Sequence, residues 1–131
     1  MKILLIEDSR FQRIANERAL VKAGYSVIQA GDGEEGLRVA CKDIPDLILL
    51  DMMLPKVSGL DVLRALKLVK HIPVIVLSGL GQGNETKLLN EGAAAFVTKS
   101  AKSLENDSSA LIQTVKSVIT QNKSIGATAA R

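Results

Sequence analysis

Aromatic residues make up only 2% of the 131-residue chain, and tryptophan is absent. Base-stacking surfaces therefore have almost nothing to be built from. A hydrophobic fraction of 47% means that the core is assembled from Leu, Ile, Val and Ala. A single cysteine, Cys41, excludes a disulfide scaffold. Cys41 reads as a small hydrophobe on a helix rather than a reactive thiol. No apolar run approaches the ~20 residues of a membrane span. The opening Met1-Lys2-Ile3-Leu4-Leu5-Ile6 is too short for a signal peptide and runs directly into Glu7 and Asp8. These absences lead to the expectation of a cytoplasmic protein with no membrane partner.

The net charge is +3. Its basic residues are scattered. Arg64, Lys67 and Lys70 share helical spacing, and a solvated helix face accounts for them. Direct nucleic-acid binding is not expected. One domain is expected over residues 1–122, with 123–131 as a flexible, small and polar C-terminal tail. A separate DNA-binding domain is not expected.

Apolar runs alternate with helix-period segments along the whole chain. Strands are expected at 2–6, 26–30, 47–50, 74–77 and 95–98. Three are nearly continuous Ile, Leu and Val, as central parallel strands should be. The second carries Ser26 and Gln29, and the fifth is short; both suit sheet edges. Ser9 with Gln12, Asp32 with Glu35, and Ser58 with Asp61 are helix-start signals. Asn84 is placed to start a fourth helix, Gly24 and Gly92 to close helices, and Leu111, Val115 and Val118 to form the buried stripe of a fifth.

Five strands alternating with five helices define an α/β fold, a doubly wound five-stranded parallel sheet with helices on both faces. Ligands bind such sheets outside the carboxyl ends of the strands. Glu7 and Asp8 follow the first strand there, Asp51 ends the third, Ser78 the fourth, and Lys99 follows the fifth. Three converging carboxylates repel one another, and a hard divalent cation relieves that repulsion. With no His or Cys at this edge, Mg²⁺ is favoured over zinc or copper. His71 precedes the fourth strand, at the opposite edge. Sharing one metal requires the first strand beside the third, which selects the order 2-1-3-4-5.

The motifs Ile6-Glu7-Asp8, Leu49-Leu50-Asp51-Met52-Met53-Leu54-Pro55-Lys56-Val57-Ser58-Gly59, Val76-Leu77-Ser78-Gly79 and Phe96-Val97-Thr98-Lys99 occur in that order. Together they make the chain similar to the receiver domains of bacterial response regulators, with a flavodoxin-like, single-domain chemotaxis-regulator architecture, over about residues 1–120. The resemblance implies that Asp51 is the phosphoacceptor. Mg²⁺ would then be held by Glu7, Asp8, Asp51 and the Met53 backbone carbonyl. Ser78 and Lys99 would contact the phosphoryl group, and Ser78 and Phe96 would form the switch. No other cofactor is implied. The partners implied are a sensor histidine kinase or phosphotransfer protein and a downstream effector protein. Such a domain catalyses only its own phosphorylation and dephosphorylation. Met53 and Leu80 flank the site where attacking water would enter.

The chain departs from that pattern at three places. Glu7 stands in place of the commoner Asp, and Phe96 lacks a Tyr hydroxyl. Ser100 follows Lys99 where the family usually has Pro after a cis bond. A cis bond before a non-proline residue costs about 2.5–4 kcal/mol, so Lys99–Ser100 is expected to be trans. The run from Ser78 to Gly83 superficially resembles a dinucleotide fingerprint, but it lacks the full spacing and follows the fourth strand; it reads as a mobile loop. The alternatives are a pseudo-receiver that performs no phosphotransfer and a flavodoxin-like small-molecule binder. A haloacid-dehalogenase-type phosphatase would need a second Asp at the position of Met53.

Overall fold

The computed structural model describes residues 1–52, 54, 57–69, 72–79, 85–99 and 109–129, except for the side chains of 69, 78, 79, 85, 98, 99 and 122–129. Among the described residues, five strands alternate with five helices: β1 (Lys2–Ile6), α1 (Arg10–Lys22), β2 (Ser26–Ala30), α2 (Gly33–Asp43), β3 (Leu47–Asp51), α3 (Gly59–Val69), β4 (Val74–Gly79), α4 (Glu85–Asn90), β5 (Ala95–Lys99) and α5 (Ser109–Ala129). The sheet is parallel throughout, in the order β2-β1-β3-β4-β5. The two strands with edge character in the sequence are the two edges.

The strands divide their side chains by parity, because successive residues point to opposite faces. Leu4, Ile6, Ile48, Leu50, Val74 and Val76 belong to one buried cluster with Val62, Leu63 and Leu66 of α3 and Leu88 of α4. Ile3, Leu5, Leu47, Leu49, Ile75 and Leu77 belong to the other, with Leu20 of α1 and the expected α5 stripe Leu111, Val115 and Val118. The registers Leu4↔Ile48, Ile6↔Leu50 and Leu50↔Val76 carry this parity across three strands.

The helix starts follow the capping signals. Ser9 Oγ accepts from the Gln12 N–H at 3.4 Å, Asp32 Oδ1 from the Glu35 N–H at 2.8 Å, and Ser58 Oγ from the Asp61 N–H at 3.2 Å. Each cap satisfies a helix donor that would otherwise lack a partner, typically contributing about 1 kcal/mol. Gly24, with φ +101°, closes α1. Its N–H bonds Val21 O, and the Tyr25 N–H bonds Leu20 O, the paired bonds of a Schellman turn. Gly92, with φ +108°, ends α4 in the same way. The expected cap Asn84 lies outside the described residues.

Ile44 closes α2 in the left-handed region at φ +46°, the one non-glycine residue with positive φ among those described. A β-branched side chain is strained there by roughly 1–2 kcal/mol, and Ile44 is mostly exposed. Ile44→Gly should therefore stabilise the protein by about 0.5–1 kcal/mol, the glycine's greater unfolded-state freedom offsetting part of the relief. A urea-unfolding midpoint that rises with unchanged slope checks this.

Several expected boundaries shift. β4 reaches Gly79 and β5 reaches Lys99, because the ladder continues through Ser78↔Thr98 and Gly79↔Lys99. Lys99 is thus the last residue of β5 rather than the first beyond it. α5 continues to Ala129, past the expected boundary at 122; no proline interrupts its last turns, and Ala127 and Ala129 favour helix. Cys41 lies on α2 as expected, but on its exposed side.

The suggested basic face is largely engaged within the chain. Arg64 forks onto Glu91 through two 2.9 Å hydrogen bonds, joining α3 to the end of α4. The hydrogen-bonded Arg64 guanidinium holds the Glu91 carboxyl below its ordinary value, and Glu91 raises Arg64 in return. Lys67 Nζ donates to Ile72 O at 3.3 Å, and burial lowers its pKa. Lys70 and His71 lie outside the described residues. No described helix is long and apolar enough to cross a membrane.

Candidate functional site

β1 and β3 are neighbours, so their carboxyl ends lie side by side. The Glu7 N–H donates to Ala30 O at 3.1 Å, fixing the chain where it leaves β1. Asp51 ends β3, and the following Met52 N–H donates to Leu77 O at 3.1 Å on β4. This arrangement brings one carboxylate oxygen from each of Glu7, Asp8 and Asp51 within 4.8 Å of one another. Glu7 is fully buried, Asp51 is 3% exposed, and Asp8 faces solvent.

Such proximity has an electrostatic cost. Two unit negative charges about 5 Å apart repel by roughly 3 kcal/mol at an effective dielectric near 20. The donor set is entirely oxygen and contains no His or Cys, which suits a hard divalent cation that retains part of its water shell. Two buried carboxylates and one exposed carboxylate supply a fixed base and an open rim. The residues present therefore fit a metal of the Mg²⁺ type.

The start of α3 lies close against Asp51 and Met52, where the chain leaves β3. A Cβ added at Gly59 would lie 2.6 Å from Met52 Cα and 2.9 Å from Asp51 O. Gly59 is thus the residue that lets the helix approach this part of the chain.

The remaining expected site residues are placed by register. Asp51 pairs with Leu77, so Ser78 lies one residue further along β4. Ser78 pairs with Thr98, and Lys99 ends β5 beside Gly79. Both backbones therefore reach the same edge of the sheet as the acids. Phe96 pairs with Val76 and is half-buried against the cluster beneath α2, α3 and α4. Met53, Leu80 and Ser100 lie outside the described residues, as do the Lys99–Ser100 bond and most of the glycine-containing run after Ser78.

A second set of contacts, not expected from the sequence, borders the acids. Arg13 of α1 donates from Nη1 to the backbone oxygen of Glu7 at 2.8 Å and from Nε to Gln29 Oε1 at 3.0 Å. Gln29 Nε2 donates onward to Glu17. Arg13 and Glu17 are four residues apart on one helix face, a spacing visible in the sequence. Their convergence on Gln29 depends on how α1 lies over β2.

A doubly wound parallel sheet with a triad of acids at its first and third strand ends defines the class of molecule. The family model for the response regulator receiver domain matches residues 3–116. The chain is 38% identical over 102 residues to the response regulator PleD of Caulobacter vibrioides, a match covering 75% of this chain and 22% of PleD. It is 37% identical to the transcriptional regulatory protein AfsQ1 of Streptomyces coelicolor, covering 74% of this chain and 44% of AfsQ1. A response regulator receiver domain protein from Clostridium thermocellum superposes with a TM-score of 0.83 at 30% identity, covering 95% of this chain and 98% of that one. The chain belongs to the response regulator receiver domain family of two-component systems. It spans less than half the length of these two curated relatives.

Proposed function

We propose that this domain is a phosphoacceptor switch, phosphorylated on Asp51 with Mg²⁺ and read by a partner protein. The observation that carries this reading is the position of Asp51: it ends a central strand, is almost completely buried, and shares a 4.8 Å cluster with Glu7 and Asp8. A carboxylate oxygen attacks the phosphorus of a phosphohistidine on a sensor kinase or phosphotransfer protein. The new P–O bond forms as the P–N bond breaks, leaving an acyl phosphate on Asp51. Burial limits the water that competes for the phosphoryl group.

Glu7, Asp8 and the Met53 carbonyl are proposed to hold Mg²⁺ beside Asp51. When bound, Mg²⁺ supplies positive charge against the phosphoryl oxygens. Ser78 and Lys99 are assigned to the phosphoryl group, Ser78 by its hydroxyl and Lys99 by its charge; their register at the same sheet edge supports this. Ser78 and Phe96 are assigned to the switch, with Phe96 the aromatic that changes packing.

The phosphoryl group shifts a two-state equilibrium by binding one state better than the other. A downstream effector reads the resulting surface. The domain acts on its own carboxylate and is not a metabolic enzyme. Its proposed setting is the cytoplasm. The receiver unit is proposed to occupy residues 1–122, with 123–131 as a C-terminal tail into which α5 continues as far as Ala129; the family match over 3–116 falls within that unit.

Intact mass spectrometry after incubation with a small acyl phosphate donor tests the assignment. A Mg²⁺-dependent gain of one phosphoryl group is expected in the wild type and no gain in Asp51→Asn. A folded, Mg²⁺-binding wild type that gains nothing would favour the pseudo-receiver reading, for which Ser100 in place of Pro is the motivating feature.

A further inference from the structure

We propose that Arg13 is a positioning residue for the acidic cluster: its guanidinium, braced by Gln29, fixes the peptide between Glu7 and Asp8 and thereby aims both carboxylates. This proposal rests on the metal assignment above but is tested separately from it.

The geometry supports a specific role. The Glu7 carbonyl belongs to the same planar peptide as the Asp8 N–H. Orienting that carbonyl sets the rotation of the chain on both sides, and so the directions in which the two side chains leave the backbone. Arg13 Nη1 grips the carbonyl at 2.8 Å. On the other side of Glu7, its N–H is held by Ala30 O at 3.1 Å. The residue is thus gripped at both ends, once by a neighbouring strand and once by a side chain from α1.

The guanidinium is itself held in place. Its Nε donates to Gln29 Oε1 at 3.0 Å, and the Gln29 amide is turned toward Glu17. Gly31 lies alongside, where an added Cβ would come within 3.4 Å of Nη1. A planar fork with several donors can bridge the carbonyl and Gln29 together, whereas a lysine ammonium is a compact charge on a flexible stem. Groups that orient metal ligands commonly contribute 10- to 100-fold to metal affinity.

The sign of the effect separates positioning from charge. Deleting a cation beside three carboxylates should tighten Mg²⁺ binding if only Coulomb attraction matters. Losing the grip on the Glu7–Asp8 peptide should weaken it.

The test is calorimetric Mg²⁺ titration of wild type, Arg13→Ala, Gln29→Ala and Arg38→Ala. Arg38 is an exposed α2 arginine whose loss makes the same change in net charge. Arg13→Ala should bind Mg²⁺ about 10-fold more weakly. Gln29→Ala should lose less, and Arg38→Ala should equal or slightly exceed wild type. Wild-type or tighter binding by Arg13→Ala would overturn the proposal.

Metal-free amide exchange supplies an independent readout. The Glu7 amide should exchange at least several-fold faster in Arg13→Ala, beyond any change shared by the core amides. No such difference would also overturn the proposal. If wild type takes up no Mg²⁺ but the exchange difference is present, the metal assignment fails and the positioning of the Glu7–Asp8 peptide stands. If Arg13→Ala does not fold, Gln29→Ala carries the test: weaker Mg²⁺ binding and faster Glu7 exchange support the brace, and no change in either rejects it.

Discussion

Gly59→Ala should cost about 2–3 kcal/mol of stability, at the upper part of the usual range for overpacking. The added methyl would meet Met52 Cα at 2.6 Å and Asp51 O at 2.9 Å. Both obstacles are backbone atoms, so rotamer adjustment cannot clear them, and either α3 must retreat or the chain after β3 must move. Gly36→Ala is an informative contrast. There the added Cβ meets Ile6 Cδ1 at 2.5 Å and Cγ1 at 2.9 Å, atoms of a buried core side chain rather than of the Asp51 backbone itself. Phosphate incorporation at Asp51 should fall sharply in Gly59→Ala even under conditions where most molecules are folded. Gly36→Ala should lose stability with a smaller effect on incorporation per folded molecule. Equal incorporation by both variants, normalised to folded protein, would remove Gly59 as a determinant of the Asp51 loop.

Mg²⁺ at 100 times its dissociation constant should stabilise the protein by about 2.7 kcal/mol, by simple mass action. For a chain of this length that corresponds to a Tm increase of roughly 10 °C. Asp51→Asn should respond differently in both directions. Without metal it should be more stable than wild type by about 1–2 kcal/mol, because one charge has left a crowded cluster and an amide is cheaper to bury than a carboxylate. With metal it should gain much less, because one of the proposed ligands has been lost. Thermal melts at matched ionic strength, with Na⁺ replacing Mg²⁺, separate site binding from screening. A full Mg²⁺ response in Asp51→Asn would place the ion elsewhere.

Much of this architecture is readable from residue patterns because the relevant physics is local. Leu47, Ile48, Leu49 and Leu50 are apolar in succession, and so short a run suits a strand covered on both faces. Ser9, Asp32 and Ser58 announce helix starts three residues before the N–H groups they satisfy. The convergence of Glu7, Asp8 and Asp51 follows once β1 is beside β3. Contacts between elements are less visible. Gln29 marks an edge strand in the sequence, but its bond with Arg13 requires the placement of α1 over β2. Strand ends are similarly non-local: Gly79 has little strand propensity, yet its pairing with Lys99 extends the ladder. Cys41 shows the limit of composition, since being small and apolar does not decide which side of α2 it occupies. Arg64 reads as part of a basic face until Glu91, 27 residues away, is brought against it.

The odd–even division of the strands makes the molecule two insulated compartments that share one wall. A change beneath α2, α3 and α4 acts on Leu4, Ile6, Leu50 and Val76, while one beneath α1 and α5 acts on Ile3, Leu5, Leu49 and Ile75. Side chains on opposite faces do not pack together, so conservative substitutions on the two faces should combine nearly additively. Asp51 terminates a strand of that wall. The chain that carries its carboxylate is therefore continuous with the partition between the compartments, and a substitution confined to one outer surface leaves the packing behind the other intact.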